Sequence, residues 1–298
     1  MKAALLALAV WAPSVLAQPA SLFEFHSGFW VNLHLFLEQQ ALSKTPVAGV
    51  SPAWQMAVDY YRKEVAPRDL LSDDMAEISN ALSIADPNQP IAGLDPRLTQ
   101  VLNQAALEYR ERWWPDHDRI NKQWIEAVKP LLSQHGAALK AGLERVYQTT
   151  WQADPVRTDV ATWASESGAY TTLGPTHITI SSTDPSYQGD AAPEMLFHEA
   201  SHALIAKVRG ELDRELKARQ RLFQRRNFWH AVLFYTAGEL TRRELTDYTP
   251  YAIANKVYDR GWAGALPVLE KDWRPYLDGK IDLASAVQRL VDDYGVAP

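Results

Sequence analysis

The sequence predicts a predominantly helical α+β fold with one small β-sheet. Apolar residues recur at three- and four-residue intervals over most of the chain, as in amphipathic helices. Residues 156–182 are instead rich in Thr, Tyr, Ile and Ser, and residues 176–182 alternate as a strand does. A composition of 47% hydrophobic and 22% charged residues is that of a globular protein, and 298 residues suffice for one large domain or two modest ones.

Residues 1–17 combine Lys2, an apolar run over 3–11 and small residues ending at Ala17, the pattern of an export signal cleaved between Ala17 and Gln18. That run is shorter than the roughly 20 residues a membrane helix needs. The chain is therefore expected to be exported, to a periplasm or to the outside, with no membrane span in the mature part. Residues 18–150 read as a helical region, with helices over 28–41, 54–65, 73–84, 97–113, 116–128 and 137–147. Joints such as Ser51-Pro52, Asp86-Pro87-Asn88 and Asp95-Pro96 separate them. After the β-prone stretch, helical periodicity resumes near Pro193 and runs to about Tyr294, with breaks near Gly210 and Thr249-Pro250. No flexible linker separates residues 18–150 from 151–298, so the two are expected to pack as one unit.

Composition excludes several functions. With 30 Lys and Arg against 36 Asp and Glu the net charge is −6, which gives no overall electrostatic footprint for nucleic acid. Cysteine is absent, so any metal must rest on His and carboxylate, and no thiolate nucleophile exists. Oligomeric state leaves no trace in the sequence.

One segment carries chemistry. In Glu194-Met195-Leu196-Phe197-His198-Glu199-Ala200-Ser201-His202-Ala203-Leu204, the two histidines are four apart and stand on one helical face, one turn from each other. Two imidazoles so placed can grip one metal ion. Glu199, beside the first, reaches a water on that metal without binding the metal itself, and serves as its general base. The flanking residues are uncharged and free of Pro from Met195 to Phe197, which suits a buried helix.

This segment resembles the active helix of the zincin metallopeptidases, and the strand at 176–182 resembles the edge strand that aligns substrate in that superfamily. The resemblance covers residues 170–245 and implies a zincin-like catalytic core, Zn²⁺, and a peptide or other amide as substrate. No Gly-x-x-His extension follows His202, which disfavours the metzincin branch. Glu239 resembles the third ligand of the gluzincin branch, although Arg243 stands where that branch commonly has a downstream Asp.

The residues themselves leave the third ligand open among Glu239, His230, Asp213, Glu244 and Asp247. His230 and Glu239 are nine apart on one apolar helical stretch, about half a turn out of phase, so a straight helix aims only one of them at a given ion. Tyr235 shares the face of Glu239 and is a candidate to stabilise an oxyanion, as are Tyr248 and Tyr251. Arg242 and Arg243 offer Glu239 ordinary ion-pair partners at i+3 and i+4. His230 is otherwise a hydrogen-bond donor to the transition state or a packed core residue. Three functions follow: a zinc metallopeptidase, a zinc amidase or esterase acting on other substrates, or a non-catalytic binding protein on a zincin framework.

Overall fold

The computed structural model describes residues 21–45 and 47–297, so the export-signal reading of residues 1–17 lies outside it. The fold is α+β and predominantly helical. Strand β1 (Phe23–His26) leads into helix α1 (Phe29–Leu42), followed by α2 (Pro52–Tyr60), α3 (Asp73–Ser83), α4 (Pro96–Arg112) and α5 (Trp114–Tyr147). Strands β2 (Val156–Ala161), β3 (Ala169–Thr172) and β4 (His177–Ser181) come next, then α6 (Ala191–Ser201), α7 (Ala206–Ala218), the short β5 (Leu222–Phe223) and α8 (Phe228–Glu244). Short helices α9 (Tyr251–Ala254), α10 (Val257–Gly261), α11 (Ala265–Val268) and α12 (Arg274–Leu277) precede α13 (Leu283–Tyr294) and β6 (Gly295–Val296). No helix among the described residues is long and apolar enough to cross a membrane.

The main sheet has the order β1-β2-β4-β3, parallel except for the β3–β4 pair. The predicted strand at 176–182 is β4, but it lies inside the sheet and the edge beside it is β3. The expectation that residues 176–182 form the substrate-aligning edge is therefore corrected. Residues 23–26 fall in the region expected to be helical but form β1; the Phe-Glu-Phe-His alternation is too short to signal a strand without its partner.

Side-chain alternation gives this sheet two unlike faces. Ala169, Ile178 and Ile180 join one apolar core, with α5, α6 and α8. The opposite face carries His177, Thr179 and Ser181, all buried. There His177 Nε2 lies 2.5 Å from Asp159 Oδ2, His177 Nδ1 lies 3.1 Å from Asn80 Oδ1, and Arg157 Nη2 donates to Asp159 Oδ1 at 3.2 Å. Farther along, Asn32 Nδ2 donates to Val160 O at 3.1 Å and Asn121 Nδ2 to Asn32 Oδ1 at 2.9 Å. A satisfied buried polar network of this kind fixes one arrangement, because any slip leaves charges or amides unpaired in a dry setting.

A second apolar core is built from residues of α1 to α4. Helix α5 touches the first core from Trp124 onward and is continuous through Pro130, where two helices were expected. Proline in a helix interior removes one hydrogen bond; here packing along the helix outweighs it. Gly136 gives the close approach, since a Cβ there would come within 3.3 Å of Leu22 and 3.9 Å of Phe197.

Helix α1 buries two titratable groups one turn apart. His34 Nδ1 lies 2.7 Å from the Tyr61 hydroxyl, and burial holds the imidazole down at about 4. Burial pushes Glu38 up to about 7. Glu38 therefore holds its proton more tightly folded than unfolded, and the folded state loses stability as pH rises from about 4.5 through 7. Glu38→Gln is expected to stabilise the protein near pH 8 by up to about 3 kcal/mol, the gain vanishing toward pH 4.5. Thermal melts of both proteins across that range check it, and a pH-independent difference would contradict the buried-carboxyl account.

Candidate metal centre

Helix α6 is buried from Ala192 to Ser201, so its polar residues are enclosed rather than solvated. His202 stands just past its end, still in a right-handed helical conformation. Beyond it the chain tightens into three-residue turns, with Ala203 N donating to Ala200 O at 3.1 Å and Leu204 N to Ser201 O at 2.9 Å. The His198 and His202 rings stand 5.4 Å apart, nearly perpendicular.

Helix α8 meets this face along its own four-residue stripe. The His230 ring lies 5.1 Å from that of His198 and 5.0 Å from that of His202. Phe234, one turn on, packs its ring 3.9 Å from His198. Gly238, another turn on, sits against Glu194, whose Oε1 would be 3.2 Å from an added Cβ. Climbing α8 through 230, 234 and 238 thus descends α6 through 202, 198 and 194, the contact expected of two antiparallel helices each presenting an i, i+4, i+8 row.

The consequence is a three-imidazole cluster. One ring nitrogen from each of His198, His202 and His230 lies within 4.8 Å of the others, and among the described residues this group can hold a metal ion. His198 Nε2 and His230 Nε2 are 3.1 Å apart. That is close to the roughly 3.3 Å edge of a tetrahedron whose metal–nitrogen bonds are about 2.0–2.1 Å. Burial pushes the His202 imidazole down to about 4, and burial with the neighbouring His202 takes His230 to about 3. His198 is driven well below the ordinary imidazole range by burial, then by His230 and His202. Burial therefore disfavours the charged form of all three rings, and a neutral imidazole keeps one nitrogen lone pair able to bind a cation.

Glu199 lies beside the donors and outside their set. Its Oε2 is 4.0 Å from His202 Nε2. The Thr171 hydroxyl lies 2.7 Å from Glu199 Oε2 and 3.0 Å from Glu199 O, so the edge strand holds both the carboxylate and the main chain of the motif. Burial pushes the Glu199 carboxyl up to about 7, with the Thr171 hydrogen bond opposing. A carboxyl poised there exchanges a proton readily at neutral pH.

The structure does not bring Glu239 to the cluster, which corrects the gluzincin-like ligand assignment. Arg242 Nη2 donates to Glu239 Oε2 at 2.6 Å and Arg242 Nε to Oε1 at 3.1 Å, and Arg274 lies 3.8 Å away. Tyr235 is drawn to the same side, its hydroxyl accepting from Arg274 Nε at 2.9 Å, so it is not at the cluster as an oxyanion donor. Tyr248 donates instead to Glu194 Oε2 at 2.6 Å. The half-turn offset between positions 230 and 239 is the physical reason: with His230 facing α6, Glu239 faces away. Thr171, Phe234 and Glu194 were missed in the sequence. The last two are legible afterwards as one-turn neighbours of His230 and His198.

Register adds one feature. Ser181 N donates to Gly168 O at 2.8 Å, so along the β3–β4 pair the main-chain N–H and C=O of Ala169 and Thr171 face away from β4. Comparisons with protein-family models, curated proteins and solved structures found no match to this chain.

The cluster brings His230, and not Glu239, to the two motif histidines. His230→Ala is expected to abolish stoichiometric metal uptake, while Glu239→Gln leaves it at one ion per chain, as measured by elemental analysis after dialysis against zinc. Loss of metal in Glu239→Gln with retention in His230→Ala would reverse the assignment.

Proposed function

We propose that this chain is an exported zinc-dependent hydrolase of peptide bonds, with His198, His202 and His230 as metal ligands and Glu199 as general base. The observation that carries the proposal is the convergence of a ring nitrogen from each of three histidines beside the buried carboxyl of Glu199. The donor set fits zinc, which favours nitrogen ligands and, in catalytic sites, three protein ligands with one open position. When bound, zinc supplies a water acidified toward neutral pH and polarises the carbonyl under attack.

The remaining work falls to the chain. Glu199 takes a proton from the attacking water and delivers it to the leaving amine, a role suited to a carboxyl whose burial sets it near neutrality. Thr171 aims that carboxylate, since its hydroxyl engages Glu199 Oε2. Phe234 covers one face of the His198 ring and limits water there. The outward main-chain groups of Ala169 and Thr171 support a peptide over other substrates, because an extended chain pairs with a strand edge. Export is part of the same proposal and rests on residues 1–17.

The test is a zinc-loaded preparation assayed on peptides, other amides and esters. Glu199→Gln is expected to lower kcat/KM on peptides by about 10²–10⁴ with zinc content unchanged. His202→Ala is expected to lose both zinc and activity. Full activity in Glu199→Gln, or a wild-type protein that takes up no zinc, would overturn the proposal; turnover of esters alone would move the substrate away from peptides.

A further inference from the structure

Two buried polar atoms one helical turn apart have no partner: Glu194 Oε1 and His198 Nδ1. Glu194 is fully buried in the first turn of α6, and its other oxygen is fixed, accepting from the Tyr248 hydroxyl at 2.6 Å and from Tyr251 N at 2.9 Å. An unpaired carboxylate oxygen in such a place is costly, because it has given up its hydrogen bonds to water and gained none in return. Gly238 leaves the room it occupies: a Cβ there would lie 2.7 Å from Pro250 Cβ and 3.2 Å from Glu194 Oε1. Tyr248 and Pro250 follow α8, so two separate segments shape the environment of this one carboxylate.

We propose that Glu194 is a positioning residue for the metal centre, its Oε1 accepting a hydrogen bond from His198 Nδ1–H and so turning the Nε2 lone pair of His198 toward the cation. The inference rests on the metal-site reading above. Glu194 and His198 are not directly bonded in the structure, and each atom is free to take the other as its partner. Ligating histidines commonly donate their second N–H to a carboxylate, which fixes tautomer and ring orientation. On this reading Glu194 closes a row in which Glu194 holds His198 and His198 holds the ion, all on one face of α6.

The fixed oxygen makes Glu194→Gln discriminating. Tyr251 N–H is an obligate donor, so a glutamine must turn its carbonyl oxygen there and present its NH₂ toward His198 Nδ1–H, setting donor against donor. The variant keeps the size and packing of Glu194 but is expected to bind zinc about 10–100-fold more weakly in a chelator competition. In the zinc-loaded wild type, nitrogen-15 histidine NMR is expected to show His198 protonated at Nδ1 with a hydrogen-bonded, downfield proton that moves upfield or exchanges rapidly in Glu194→Gln. Zinc affinity within about twofold of wild type in a folded Glu194→Gln protein overturns the assignment. So does a wild-type His198 protonated at Nε2, a result that needs no variant to fold. A wild-type chain that binds no zinc removes the metal reading and this inference with it, whereas tight zinc in both proteins removes only the role of Glu194.

Discussion

Helix α6 meets α8 along one stripe, and that contact determines where each donor nitrogen lies. Three imidazoles packed together are harder to protonate, since burial and mutual repulsion both oppose a charge. The cluster is thus a place where polar groups are desolvated with few hydrogen bonds to offset the loss. Only the His198–His230 nitrogen pair is within bonding distance of one another. A cation bound to all three converts that cost into binding energy, and anything that binds the folded state alone stabilises it.

The sheet supplies the second constraint. Its apolar face packs on α6 and lets Thr171 reach the carboxylate of Glu199, while its polar face locks onto the helical core through Asp159, His177 and Asn80. Moving β3 by one residue would turn Thr171 itself to the polar face and away from Glu199, because a one-residue slip inverts the faces of a strand. The buried network on the far side therefore protects the geometry on the near side.

Much of this was legible in the sequence because it depends on local periodicity. Most of the helices, the strand at β4 and the His198–Glu199–His202 row follow from spacing alone, whereas the break expected near Gly210 falls inside α7. The third ligand was not, because α8 carries two metal-capable residues half a turn apart and periodicity cannot say which face meets α6. Tertiary contact places His230 beside His198 and His202 and pairs Glu239 with Arg242. The continuity of α5 through Pro130 and the pairing of β1 with β2 were likewise hidden, since each is stabilised by residues distant in sequence. Thr171 could not be singled out among its neighbours, as its role exists only once β3 lies beside α6.

The central claim is that one ion sits among three histidines contributed by two antiparallel helices. Anomalous diffraction at the zinc absorption edge, from crystals grown with zinc, tests it most directly. The account requires a single strong peak about 2.0–2.1 Å from a ring nitrogen of each of His198, His202 and His230. An empty cluster in zinc-replete crystals, or an ion ligated by Glu239 in place of His230, would contradict it.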